Sequence, residues 1–207
     1  MASSAKTLKN NSRPTFATGL GIGLILLSAV ILFRLFHDPI KQEVQYALRS
    51  GESSQEALIP ASTDFGLVVD KIGATAHIIQ NVDPYNSTIY QQALKDGVAH
   101  AEGTALPGEG GNIFLFAHSS ADLLTAERYN SIFYLIHHLE SGDKIRVWYE
   151  GEEYIYAVTA KHLVSPSDTQ YLTKPSKVET LTLMTCWPPG TTYKRLILIA
   201  EPVDLHE

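Results

Sequence analysis

The chain has 207 residues and an average composition, enough for one globular domain with a core and an appendage but too short for two ordinary domains. The net charge is −6, and residues 1–13 contribute only the positive Lys6, Lys9 and Arg13; so acidic a body argues against a nucleic-acid partner, which would need a basic face. One cysteine, Cys186, excludes an internal disulfide, and His137 and His138, adjacent and therefore expected to face apart, give no metal cluster by spacing; no cofactor is expected.

In chain order, residues 1–15 read as a short basic tail. Phe16 to Phe33 is an eighteen-residue stretch without a charge, about 27 Å long as a helix and close to the hydrocarbon thickness of a bilayer. Arg34 follows and can snorkel to the headgroups. The expected anchor is 16–36, and the positive-inside rule places the N-terminus in the cytoplasm and the rest outside. A cleaved signal peptide is the competing reading; it would carry a small-residue cleavage site, and no clear A-x-A follows Phe36. Residues 37–62 are polar around Gly51–Ser54, with a short helix possible over Ile40–Leu48, and read as a stalk.

From Thr63 the pattern becomes strand-like over Phe65–Val69, Ala76–Val82, Asn112–His118, Lys144–Tyr149, Glu153–Val164, Val178–Cys186 and Arg195–Ala200. Period-two runs separated by Gly, Pro, Asp and Ser turns predict an all-β barrel or sandwich. Two helical pieces interrupt it, Ser87–Lys95 before Gly97 and Tyr129–Leu139 before Ser141–Gly142–Asp143. The predicted domain is 63–207.

Three polar residues stand at strand ends. Cys186 is followed by Trp187, Pro188, Pro189 and Gly190, and prolines cannot continue a central strand, so the thiol sits beside a loop. A lone cysteine is commonly an inert buried thiol; a nucleophilic one needs a nearby base or cation, since a free thiol titrates near pH 8.5. Arg195 opens the next strand, and a hairpin would bring it opposite Cys186. On spacing alone it reads equally as a solvated strand-start arginine. His118 ends the NIFLFAH run before a polar loop, although a single histidine is more often structural than catalytic.

These residues carry a resemblance. TLMTC at 182–186 resembles the TLxTC signature of sortases, with Arg195 following at the start of RLILIA. GNIFLFAH at 111–118 looks like the sortase strand that delivers a histidine, HLESGDKIRVWY at 138–149 like the stretch between His and Cys, and VSPSDTQYL at 164–172 like the segment before the Cys strand. The matches keep the family's order over most of 65–202. The resemblance implies an eight-stranded β-barrel with short connecting helices. It implies a membrane-anchored cysteine transpeptidase acting on proteins with a C-terminal LPxTG-like sorting signal, and an amine acceptor from a peptidoglycan precursor or a pilin. Cys186 would be the nucleophile, His118 the acid and base, Arg195 the electrostatic stabiliser, and Thr185 would line the substrate groove. Ser119 and Ser120 after the histidine, and the Trp-Pro-Pro-Gly loop, depart from the common pattern and leave the subclass open. Calcium is not expected, because Glu102 and Glu109 alone are too few oxygens for a hard-cation site. Rival readings are an L,D-transpeptidase-like or papain-like enzyme, although papain-like enzymes place Cys before His, and a non-catalytic tethered β-domain with an inert Cys186.

Overall fold

The computed structural model describes residues 16–49, 57–119, 132–173 and 176–203. The chain divides into two compact units, 1–41 and 42–207. The first contains most of α1 (Phe16–Arg49), whose large apolar side chains Leu20, Leu24, Ile25, Leu26, Leu27, Val30 and Phe33 are exposed. Among the described residues no helix is long and apolar enough to cross a membrane; the expectation of a span over 16–36 rests on the sequence.

The second unit is an eight-stranded closed barrel: β1 (Phe65–Val69), β2 (Ala74–Val82), β3 (Val98–Ala101), β4 (Asn112–Phe116), β5 (Lys144–Tyr149), β6 (Glu152–Val164), β7 (Thr180–Trp187) and β8 (Lys194–Pro202). Around the barrel the order is β1-β2-β3-β4-β7-β8-β6-β5, closed by β5 on β1. The β2–β3 and β4–β7 pairs are parallel and the others antiparallel. Closure removes the open edges on which foreign strands could pair. Leu67, Val69, Ile113, Leu115, Leu181, Leu183 and Leu198 belong to one cluster of buried side chains.

Parallel strands need a crossover, and α2 (Ser87–Asp96) supplies the one between β2 and β3. The Asn86 side chain caps it, accepting from the Thr88 and Ile89 N–H groups, which satisfies donors at the helix start that have no partner within the helix. Gly97 ends it, and a Cβ there would collide with the His77 carbonyl, so only glycine admits this close approach of β2.

Three expectations change. The helix expected over Tyr129–Leu139 is a 3₁₀ turn, Leu135–His138, while 120–131 lies outside the described residues; the short apolar repeat is used to bury Phe133, Leu135, Ile136 and Leu139. The short helix expected over Ile40–Leu48 is continuous with α1. The segment 58–62, read as stalk, is bound to the barrel. Leu58 N–H donates to Asp70 (3.0 Å), Ala61 N–H donates to Thr75 Oγ1 (2.9 Å), and Thr75 Oγ1 donates to the Ile59 carbonyl (3.2 Å).

Arg146 on β5 holds this lacing. Its guanidinium meets both Asp70 oxygens at 2.9 Å, Glu153 at 2.9 Å and the Leu58 carbonyl at 2.9 Å, the planar fork geometry that lysine cannot reproduce. Burial alone would raise the Asp70 carboxyl, but the Arg146 hydrogen bonds, the Leu58 N–H and the Arg146 charge outweigh it and hold Asp70 below its ordinary value. A depressed carboxyl contributes stability at pH values above its unfolded value and loses it as pH falls through the folded one. Arg146→Ala is expected to cost about 1–3 kcal/mol at neutral pH by leaving Asp70 unpaired, measured by denaturant melts. The stability gap between the wild type and Asp70→Asn should be full at pH 7 and shrink below about pH 4; a gap independent of pH would show that Asp70 folds without titrating against Arg146.

Candidate active site

Strand β7 is hydrogen-bonded on both sides, and its register decides the site. Against β8 it is antiparallel, with Met184 opposite Ile197, Thr185 opposite Leu196 and Cys186 opposite Arg195. Directly opposed residues project from the same face of a sheet, so the Cys186 thiol and the Arg195 guanidinium share one face. Against β4 it is parallel, with Phe114 level with Thr182 and Phe116 level with Met184. The Ala117 N–H donates to the Met184 carbonyl (3.2 Å), extending the pairing past the end of β4. His118 is therefore level with Cys186 on its other flank, two positions beyond Phe116 as Cys186 is two beyond Met184. The residues expected at strand ends come from β4, β7 and β8, three neighbours in the wall.

Alternation assigns the faces. Leu181, Leu183 and Leu198 are fully buried inside the barrel. Thr182, Met184 and Cys186 project from the opposite face of β7, where Cys186 and Arg195 are both half-buried. The Cys186 and Arg195 side chains thus lie on the outside of the barrel wall.

Thr185, expected to line a groove, falls on the inward phase because it is adjacent to Cys186. It is 2 % exposed, and its hydroxyl donates to the Ala117 carbonyl at 2.8 Å. The carbonyl of the next residue, His118, accepts from the Phe133 N–H at 3.3 Å. The backbone on both sides of the histidine is thereby fixed, once by the residue before the cysteine and once by the turn at 132–134. His118 Nε2 is shielded from solvent. Arg195 Nη1 donates to the Thr192 and Lys194 carbonyls, each at 3.2 Å, so the β7–β8 loop orients the guanidinium while other donors of its fork point elsewhere.

Two polar anchors complete the frame, and the sequence reading missed both. Asn112 Nδ2 donates to the Tyr171 carbonyl (2.8 Å), and its Oδ1 accepts from Thr182 (2.7 Å) and Thr180 (3.3 Å). It ties the short helix α3 (Gln170–Thr173) and β7 to β4. Glu179 accepts from the Tyr156 hydroxyl (2.7 Å) and from the Gly108 and Gly110 N–H groups (3.0 and 3.2 Å). Burial, then the bond to Glu179, pushes the Tyr156 hydroxyl far above its usual range. The Gly-rich turn is thus folded around a half-buried carboxylate. Its signal was a glutamate immediately before an apolar strand, which spacing alone does not distinguish from a solvated one. The buried His100 is also structural: burial lowers it, its Nδ1 accepts from the Asn81 N–H (3.3 Å), and its Nε2 lies 3.0 Å from the Ala105 carbonyl.

The closed eight-stranded barrel carries a cysteine opposed to an arginine at the end of one wall and a histidine level with both, the residue types that acyl transfer through a thiol would use. The chain belongs to the sortase family: the family model described as the Sortase domain matches residues 67–203. It is 26% identical over 169 residues to Sortase D of Bacillus subtilis (strain 168), covering 80% of this chain and 72% of that one. Among solved structures it is similar to a lid mutant of Sortase A from Corynebacterium diphtheriae (TM-score 0.56, 28% identity, 70% of this chain and 72% of that one). The fold is also that of sortase C-1 from Actinomyces oris (TM-score 0.57, 24% identity, 80% and 85%). Sortases as a family are cysteine transpeptidases.

Thr185→Val keeps the strand shape but leaves the Ala117 carbonyl without its buried donor. It is expected to cost about 1–3 kcal/mol of stability and to lower turnover, whereas Thr185→Ser should retain both. Equal melting and turnover in all three proteins would remove Thr185 from the framing of His118.

Proposed function

We propose that this protein is a membrane-tethered transpeptidase that cleaves an LPxTG-like sorting signal and joins the new carboxyl end to an amine, from a peptidoglycan precursor or a pilin lysine. The observation that carries the reading is the register of β7, which sets Arg195 directly across from Cys186 while β4 delivers His118 to the same level.

In this reading the Cys186 thiolate attacks the threonine carbonyl carbon, a C–S bond forms, and the oxyanion develops beside Arg195. The C–N bond then breaks as His118 gives a proton to the departing amine. An acceptor amine attacks the thioester, His118 takes its proton, and the thiolate leaves with a new peptide bond formed. Dividing one acyl transfer into two steps lowers each barrier. Proton delivery to the amine contributes about 10²–10⁴ in rate. A charged donor at the oxyanion contributes about 3–4 kcal/mol, and the carbonyls of Thr192 and Lys194 already orient that donor.

Tethering is supported by the charge-free stretch 16–33, the basic residues before it, and the exposed apolar side chains of α1. The proposed topology is single-pass, with the N-terminus in the cytoplasm and the barrel outside.

Intact mass measurement of the protein incubated with LPxTG-type peptides and triglycine tests the reaction. An acyl adduct on Cys186 or a triglycine-extended peptide is the expected result. A folded protein with a reactive thiol and no adduct across a varied peptide library would reassign it to another class of cysteine enzyme, and an unreactive thiol would favour a binding role. Cys186→Ala should abolish transfer without unfolding, and His118→Ala and Arg195→Ala should each lose about 10²–10⁴ in kcat/KM; near-wild-type turnover in either would refute the role given to it.

A further inference from the structure

His137 and His138 do not face apart as adjacency on a regular helix would require. They sit in the 3₁₀ turn Leu135–His138, their rings lie 4.0 Å apart between centroids, and both reach Glu43 on the last turns of α1. His138 Nε2 is 3.0 Å from one Glu43 oxygen, and His137 Nε2 is 3.8 Å from the other. One ligand atom from each residue lies within 4.8 Å of the other two. A tetrahedral metal with bonds of about 2.0–2.1 Å places its ligand atoms roughly 3.3 Å apart, and the observed separations need only small side-chain adjustments to meet it.

The surroundings fit this use. His137 Nδ1 lies 2.9 Å from the Tyr134 carbonyl, which can only accept, so Nδ1 carries the proton and the Nε2 lone pair is left toward Glu43. A carbonyl that fixes the tautomer through the other ring nitrogen in this way is the usual companion of a metal-ligating histidine. Tyr46, one turn along α1 from Glu43, stacks on His138 at 4.1 Å and fixes the second ring. The His137 ring packs on Trp187 at 5.1 Å, and Trp187 directly follows Cys186.

We propose that Glu43, His137 and His138 form a binding site for a divalent transition metal of the zinc class, clasping the end of α1 to the barrel beside the nucleophile strand. Two imidazoles and one carboxylate suit Zn²⁺ and its neighbours, not calcium or magnesium, and leave a coordination position for water. Glu43 only accepts, so His138 Nε2 donates to it in the metal-free state; on binding, the ring changes tautomer through solvent, Nε2 giving up its proton and Nδ1 carrying one, so that a neutral imidazole turns its Nε2 lone pair to the metal. The site stands independently of the sorting reaction, since neither Cys186 nor His118 is a ligand.

The test uses the full chain in detergent carrying Cys186→Ala, which removes the thiolate as a competing ligand. After chelator treatment it is titrated with Zn²⁺ by calorimetry and with Co²⁺ by visible spectroscopy. One saturable equivalent, a raised Tm and tetrahedral d–d absorption without a thiolate charge-transfer band are expected. Glu43→Gln and His137→Gln, in the same background, should each weaken binding by more than about tenfold, with Glu43→Gln keeping the metal-free Tm because its amide oxygen still accepts from His138. Absence of stoichiometric uptake, or affinity unchanged in both variants, would overturn the proposal.

Discussion

The double pairing of β7 is the constraint from which the site follows. A strand bonded on one edge can slip by a residue and exchange its faces; a strand bonded on both edges of a closed barrel cannot slip without breaking two ladders. Here one ladder is parallel and the other antiparallel, so the histidine arrives from a strand running with β7 and the arginine from one running against it. The two flanking residues are separated by about half of the sequence of the domain yet held to one level by main-chain hydrogen bonds. In the proposed reaction, preorganisation of this kind would keep the charged donor in place without reorganisation during the chemical step.

The polar cross-links serve the same end. Asn112, Thr182, Thr185 and Glu179 each join β7 or its approach to a neighbouring element, and the Thr185 bond and the Glu179 bond to Tyr156 satisfy groups that are buried. A buried carbonyl left without a donor costs more than the bond is worth when made. These contacts therefore do more to specify the arrangement of strands than to add stability.

Much of this was legible in the sequence. Seven strands announce themselves by alternation or apolar runs, and Phe65–Val69 and Lys144–Tyr149 agree with the structure to the residue. The strand Val98–Ala101 does not, because four residues buried on both faces show no alternation. The cysteine and arginine across a hairpin could be anticipated from one loop length, but the histidine's register depends on a parallel pairing with a strand more than sixty residues away, which local pattern does not encode. Thr185 was open to better reading: a residue next to an outward cysteine in a strand must point inward. The convergence of His137 and His138 was hidden because a helical period was assumed where the chain makes a 3₁₀ turn, and because Glu43 lies outside the expected domain altogether.

The barrel's interior is filled with aliphatic side chains, and Cys186 looks out from its wall. On the proposed function, a segment reaching the thiol would approach from outside the barrel and not through its core. On the proposed function, an outward thiol would serve cargo that is already folded and large, presented by a short tail, in the way a clasp on the outside of a vessel can be fastened whatever hangs from the strap.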